Sequence, residues 1–353
     1  MKLDFHIPTI LGRLHTTYLL IAIQNHPNYN QWLCENCIQV GTIVGYDDTF
    51  DYSILDGIIT NNINKLDNHH PLLTYDLFEC GNNSKSYQIA VEYLISVLTD
   101  RLNEGYYICM HFDDFFIPDK WNYNIRHDTH INLIYGYDNC KKVVYSFGYD
   151  YSGVCREMEI PYGSIVNGYI NADPERKTII FIKSDFNNTY ALDLEYLKNN
   201  LECYINPNRL GELVNQGKRL SRFTLIYKID SVQKSLLFGH VAQKYIINRI
   251  KEAINNSDSI APFLGDMRTF QTLIEHRTLM DWRIGYLIYL NMLNSEYRTN
   301  YSEKILKPSL PLKNLMIKYK HTKNINILYR VAQIWEDTLY NEKELITNII
   351  IEL

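Results

Sequence analysis

Cysteine chemistry needs a thiolate, and a thiolate needs a thiol whose pKa has been brought down. A helix N-terminus and a nearby imidazolium both do this. The segment QWLCENCIQV sets Cys34 and Cys37 at the expected start of a helix, and HINLIYGYD sets His130 at the head of an expected strand. The remaining cysteines, Cys80, Cys109, Cys140, Cys155 and Cys203, are scattered and read as inert. The C-x-x-C spacing of Cys34 and Cys37 is also that of half a zinc site or a redox pair. A zinc site wants a second pair, and none is spaced for it; His69, His70 and His127 stand in unrelated contexts. A thioredoxin-like pair wants a preceding strand, whereas the approach NHPNYNQWL reads as loop. No metal and no cofactor is expected, and there is no P-loop for a nucleotide.

The elements that must position these residues follow from hydrophobic periodicity. Residues 34–46 read as a helix, with turn chemistry around Asn30 before it and Gly45 near its end. A second helix is expected over 84–102, capped by Ser84 or Ser86, with Ile89, Tyr93 and Val97 on one face. The period then changes. Residues 106–118 read as a strand running into a loop at Pro118, and 130–138 and 141–150 as a hairpin turning at Asp138-Asn139. REMEIPYGSIV is a further short extended piece and 177–184 a last strand. Helices followed by a mainly antiparallel sheet make an α+β domain over 1–189. From 190 to 353 the pattern is helical, with Pro308 and Pro311 marking a turn.

Bulk properties narrow the function classes. The chain has 353 residues, 46% hydrophobic and 21% charged, which is ordinary for a globular protein. A net charge of −5 argues against a nucleic-acid partner. The 29 tyrosines, with abundant Asn and Ile, read as coding bias rather than a binding face. The stretch TTYLLIAIQ is too short for a membrane span and lacks the cleavage site of a secretion signal. An odd number of scattered cysteines without an export signal reads as free thiols in a cytoplasmic protein.

A helix-borne cysteine facing a strand-borne histidine is the arrangement of papain-like enzymes. The run HFDDFFIPDKW followed by HDTHINLIYGYD resembles the N-terminal domain of the butirosin biosynthesis protein H family, and CENCIQV with Gly45 is similar to that family's cysteine helix. The resemblance covers roughly residues 30–165, and more weakly the helical remainder. It implies a papain-like fold. It also implies acyl transfer from a carrier-protein phosphopantetheine thioester, through a cysteine acyl-enzyme, to an amine, in nonribosomal and other thiotemplate pathways. By the same resemblance Cys34 matches the nucleophile, His130 the general base, and Asp113 the residue that orients it. Papain-like enzymes also place a Gln six residues before the nucleophile. Gln31 stands six before Cys37, so Cys37 with Gln31 as oxyanion donor stays open. The acid expected about sixteen residues after the histidine falls at Ser146, with Asp150 further along, so Asp113, Asp150 and Ser146 all remain candidates for the third role.

Two other readings use the same residues. A cysteine peptidase or thioesterase would take water as acceptor, and a non-enzymatic biosynthetic scaffold would carry a decayed site. A carrier protein is acidic, so Lys244, Arg249 and Lys251 are candidates to meet it. Glu275, His276, Arg277 and Arg283, set among apolar residues of an expected helix, read as facing solvent or pairing with one another.

Overall fold

Residues 107–113 (YICMHFD) are buried at every position, as in a strand covered on both faces. The computed structural model describes residues 1–43, 53–54, 70–78, 93–220, 236–255 and 267–353. Gly45, Cys80, His69 and the first part of the helix expected over 84–102 lie outside the described residues. In chain order the helices are α1 (Leu14–Ile23), α2 (Tyr29–Glu35), α3 (Leu94–Asn103), α4 (Tyr162–Ile170), α5 (Leu194–Ile205), α6 (Leu210–Asn215), α7 (Gly239–Asn255), α8 (Arg268–Tyr289), α9 (Ser295–Tyr301), α10 (Leu312–Thr322) and α11 (Ile325–Glu352). The strands are β1 (Val40–Ile43), β2 (Ser53–Ile54), β3 (Leu73–Phe78), β4 (Tyr107–Asp113), β5 (Thr129–Asp138), β6 (Val143–Tyr149), β7 (Cys155–Pro161), β8 (Ile179–Ser184) and β9 (Leu236–Phe238). The fold is α+β. Packing divides the chain into two compact units, Met1–Tyr29 with Ile58–Tyr190, and Asn30–Gly57 with Ala191–Leu353.

The first unit is built on a six-stranded sheet in the order β3-β8-β4-β5-β6-β7, with every pairing antiparallel. Side chains alternate across a strand with period two. Ile108, Met110 and Phe112 therefore share a face, and they join Leu94, Leu98 and Leu102 of α3 and Ile165 and Tyr169 of α4 in one core cluster. Helix α1 packs on β5 and β8. Its residues 16–23 are all buried, as an apolar run without a polar face requires. The Tyr18 hydroxyl fixes its height by donating to the carbonyls of Ile131 (3.4 Å) and Phe147 (3.0 Å). The β5–β6 hairpin turns where Asp138 Oδ1 accepts the amides of Cys140 (2.8 Å) and Lys141 (3.0 Å).

The second unit combines a three-stranded antiparallel sheet, β2-β1-β9, with the helices of the C-terminal half. Helix α11 buries Leu328, Val331, Ala332, Trp335, Leu339, Glu342, Ile346 and Ile349, an i, i+3, i+4 stripe facing the core. Asn324 caps it, accepting from the amide of Asn326 at 3.1 Å, and Lys323 just before it turns left-handed to end α10. Among the described residues no helix is long and apolar enough to cross a membrane.

The helix expected over 34–46 is not formed. Helix α2 ends at Glu35, and Val40–Ile43 is a strand. Val40, Thr42 and Ile43 are branched at Cβ and favour extended backbone. Gly41 inside a helix would cost about 1 kcal/mol. Cys37 adopts the left-handed conformation (φ 57°), which stops a helix. The helices that pack on the sheet containing His130 include α1, α3 and α4, none of which contains a cysteine.

Candidate active site

Strand β4 stops at two aspartates, and each takes a different histidine. Asp113 Oδ1 accepts the amides of Phe115 and Asp128, both at 3.0 Å, which caps the tight turn Asp114–Phe116. Its Oδ2 accepts from His127 Nδ1 at 2.6 Å. The His127 ring also stacks on Phe115, with centroids 4.4 Å apart. Asp114 Oδ2 accepts from His130 Nδ1 at 2.8 Å. The carboxylate that meets His130 is thus Asp114, where the sequence pattern pointed to Asp113.

The His130–Asp114 pair has the form of a general base and its orienting acid. The Asp114 side chain is 8% exposed and that of His130 is 50% exposed. With its proton on Nδ1 held by the carboxylate, the imidazole presents the Nε2 lone pair outward. Nε2 lies 3.9 Å from Asp128 Oδ2, beyond hydrogen-bond reach. The Asp114 hydrogen bond raises the imidazole pKa above its ordinary value. Partial burial and the Lys120 ammonium oppose that rise, and the charges of Asp114 and Asp128 add to it.

A buried lysine acts on the pair through its charge. Lys120 is 6% exposed, and its Nζ donates to Asn132 Oδ1 (2.5 Å) and to the Tyr149 carbonyl (2.7 Å). Burial lowers its pKa, while the charges of Asp114 and Asp150 work to keep it protonated. Gly148 makes room for it: a Cβ there would meet Asn132 Oδ1 at 2.5 Å and Lys120 Nζ at 3.3 Å. The loop between β4 and β5 is closed at its base by the Asp114 amide donating to the Asp128 carbonyl at 2.9 Å.

The other expected acids have different work. Asp150 Oδ1 accepts from the Ser152 amide (2.8 Å), the Ser152 hydroxyl (2.7 Å) and the Val154 amide (3.0 Å), and its Oδ2 meets Arg156 at 2.7 Å. It organises the β6–β7 turn. Ser146 is fully buried within β6, and its Oγ has no partner among the described residues. Nearby in the same unit, His111 Nδ1 contacts Thr178 Oγ1 at 2.7 Å, and its ring centroid is 6.4 Å from that of His15 in α1. Burial, reinforced by His15, pushes the His111 pKa down to about 4.

Cys34, Cys37 and Gln31 belong to the second unit. Cys34 sits near the C-terminal end of α2, opposite to the first-turn position that would favour a thiolate. It is fully buried, and burial pushes its thiol up to about 12, although the Arg283 cation pulls the other way. Arg283, itself buried, closes that helix end: Nε donates to the Cys34 carbonyl (2.6 Å), and one guanidinium NH2 to those of Asn36 (2.7 Å) and Leu33 (3.4 Å). Cys37 is also fully buried. No disulfide joins the described cysteines. His276 Nε2 donates to the Ile38 carbonyl at 2.8 Å.

Glu275, His276, Arg277 and Arg283 of α8 are therefore buried, where the sequence left them facing solvent or pairing with one another. Beside them, Glu342 accepts from the hydroxyls of Tyr204 (2.9 Å) and Tyr301 (2.7 Å) and lies 3.5 Å from His240 Nε2. Burial alone would raise its pKa, but His240 and Arg277 hold it well below the usual carboxylate range.

Sequence reasoning reached His130 and missed Asp114, Lys120 and Asn132. The available signal was the Asp113-Asp114 doublet, which pattern alone does not resolve. Among the described residues no group of three His, Cys, Asp or Glu side chains is placed to hold a metal ion. No protein-family model and no curated protein matches the chain.

Proposed function

We propose that the chain is an amide-forming acyltransferase in which His130, oriented by Asp114, is the acid–base group. The observation that carries this reading is the 2.8 Å bond between a buried carboxylate and a half-exposed imidazole whose Nε2 faces outward. A thioester is already activated, so aminolysis needs only an amine freed of its proton. The amine nitrogen attacks the acyl carbon and the carbon–sulfur bond breaks. His130 Nε2 takes the amine proton and returns it to the departing thiolate. This direct route needs no protein thiolate, which suits a Cys34 thiol pushed up to about 12. The resemblance to the butirosin H family, with its papain-like fold and acidic carrier protein, supports the substrate class. The acyl-enzyme route through Cys34 is the competing form of the same reaction.

The test is an acyl-pantetheine thioester mixed with a primary amine, with the amide quantified by mass spectrometry. His130→Ala should lower the rate about 10²–10⁴-fold, and Cys34→Ala should leave most of it. Loss of activity with Cys34→Ala, together with an acyl adduct on Cys34 in the parent protein, would move the reaction to the acyl-enzyme route. Free acid as the sole product would make the protein a thioesterase. No turnover of any thioester would reject the reading.

A further inference from the structure

Charge is distributed unevenly along this chain. Residues 304–335 contain seven of its 35 basic residues, Lys304, Lys307, Lys313, Lys318, Lys320, Lys323 and Arg330, and none of its 40 acidic ones. Short helical turns carry Lys304 and Lys307, and α10 after them packs on α11 as a hairpin. Helix α10 turns Leu312 and Met316 inward. At 100° per residue, the opposite arc then carries Asn314, Ile317, Lys318 and His321, with Lys313 and Lys320 on its flank. Lys318, Lys320, His321, Lys323 and Arg330 are all exposed.

Few of these cations are neutralised. Lys307 pairs with Glu303, and Lys313 Nζ donates to the neutral Gln271 side chain at 2.7 Å. Among the described residues, Lys304, Lys318, Lys320, Lys323 and Arg330 have no carboxylate partner. The basic residues that the sequence offered for the same task differ. Arg249 pairs with Glu252 at 2.8 Å and Lys251 with Glu336 at 2.7 Å.

We infer that the α10–α11 hairpin is the docking surface for an acidic partner protein, the carrier that delivers the acyl group; this rests on the acyl-transfer reading above. Two observations select a protein over other polyanions. Exposed Leu310 (49%), Ile317 (37%) and Tyr329 (56%) stand among the cations, the mix of apolar contact and charged rim that protein interfaces use. The apolar face of α10 is already covered, which leaves scattered apolar side chains and no continuous apolar stripe to lie in a lipid surface. Seated there, the cations steer the carrier and bring its arm toward the enzyme at a rate that falls with salt.

The test uses the full chain and an acidic acyl carrier protein stripped of its pantetheine arm, so that binding does not depend on turnover. The parent protein should bind it at low salt and release it at high salt. Lys318→Glu/Lys320→Glu/Lys323→Glu should weaken binding at least about tenfold, with an unchanged circular dichroism spectrum. Lys141→Glu, in the other unit, should have no effect. If the triple reversal fails to fold, the corresponding Lys→Gln triple gives the same reading. His130→Ala should bind the carrier as the parent does, so failure of docking and failure of catalysis are told apart. Equal binding by the triple variant, no carrier binding, or binding only to a DNA duplex or phosphatidylserine vesicles would overturn the assignment.

Discussion

The two units use the same residue types to opposite ends. In the sheet unit, Asp114 is buried at the end of a strand and holds a histidine that stays half in solvent. In the helical unit, His240, His276, Arg277, Arg283 and Glu342 are all within 3% of complete burial. Arg283 and His276 donate to carbonyls at and just beyond the end of α2, and Glu342 accepts from the hydroxyls of Tyr204 and Tyr301. The pKa directions follow: the carboxylate partner raises His130, whereas burial drives His276 down to about 4. The ends of two paired strands let a polar ring leave the core beside a carboxylate that stays in it. A helix interior turns the same ring inward, and a titratable group there serves stability. A histidine or cysteine motif gains chemical meaning only once its place on the element is known.

The largest effect that would sharpen this contrast lies in the helical unit. Arg283→Ala strips the cap from α2 and leaves buried carbonyls without donors, at about 1–3 kcal/mol each, so the variant should be severely destabilised in urea. Trp32, Trp282 and Trp335 lie in this unit, so intrinsic fluorescence follows its unfolding. Removing a partner from a buried charge cluster costs about 3–5 kcal/mol, and Glu342→Ala should fall in that range. A loss below about 1 kcal/mol in either variant would mean that these charges are solvated, and the contrast would break.

A smaller effect separates the units by pH. His276 is lowered in the folded state, so between its unfolded value of about 6.5 and about 4 the unfolded chain binds a proton that the native one refuses. The His276 contribution to the stability of the helical unit should therefore fall as pH drops through that window and level off below it. His276→Gln should flatten the slope. His130 has the opposite sign. Its contribution is present below the unfolded value and fades as pH rises through the raised folded value, and its exposure keeps that contribution small. The smallest expected change is in the stability of His130→Ala, within about 1 kcal/mol of the parent, even though its activity is lost.

Much of the sheet unit was legible in the sequence because period-two alternation is local. The β5–β6 hairpin, its turn at Asp138 and the position of His130 all follow from it. Helix α1 was read only as an apolar stretch, since a run buried all round carries no amphipathic signature. The end of α2 was illegible for a different reason: its cap comes from Arg283, far along the chain, and Cys37 stops it in a left-handed conformation that cysteine rarely adopts. The choice between Asp113 and Asp114 rests on which side of the pleat each carboxylate leaves. Asp113 turned to cap the following turn and to hold His127, a histidine that the sequence left as a loop residue.

The central claim is that Asp114 sets up His130 as an outward-facing base. The most direct measurement is an NMR titration of the His130 imidazole protons in the parent protein, Asp114→Asn and Asp113→Asn. The expected result is a parent midpoint above about 6.5 that drops in Asp114→Asn and stays in Asp113→Asn. A parent midpoint at or below the ordinary value, or a His130 that responds to Asp113 and ignores Asp114, would contradict the account.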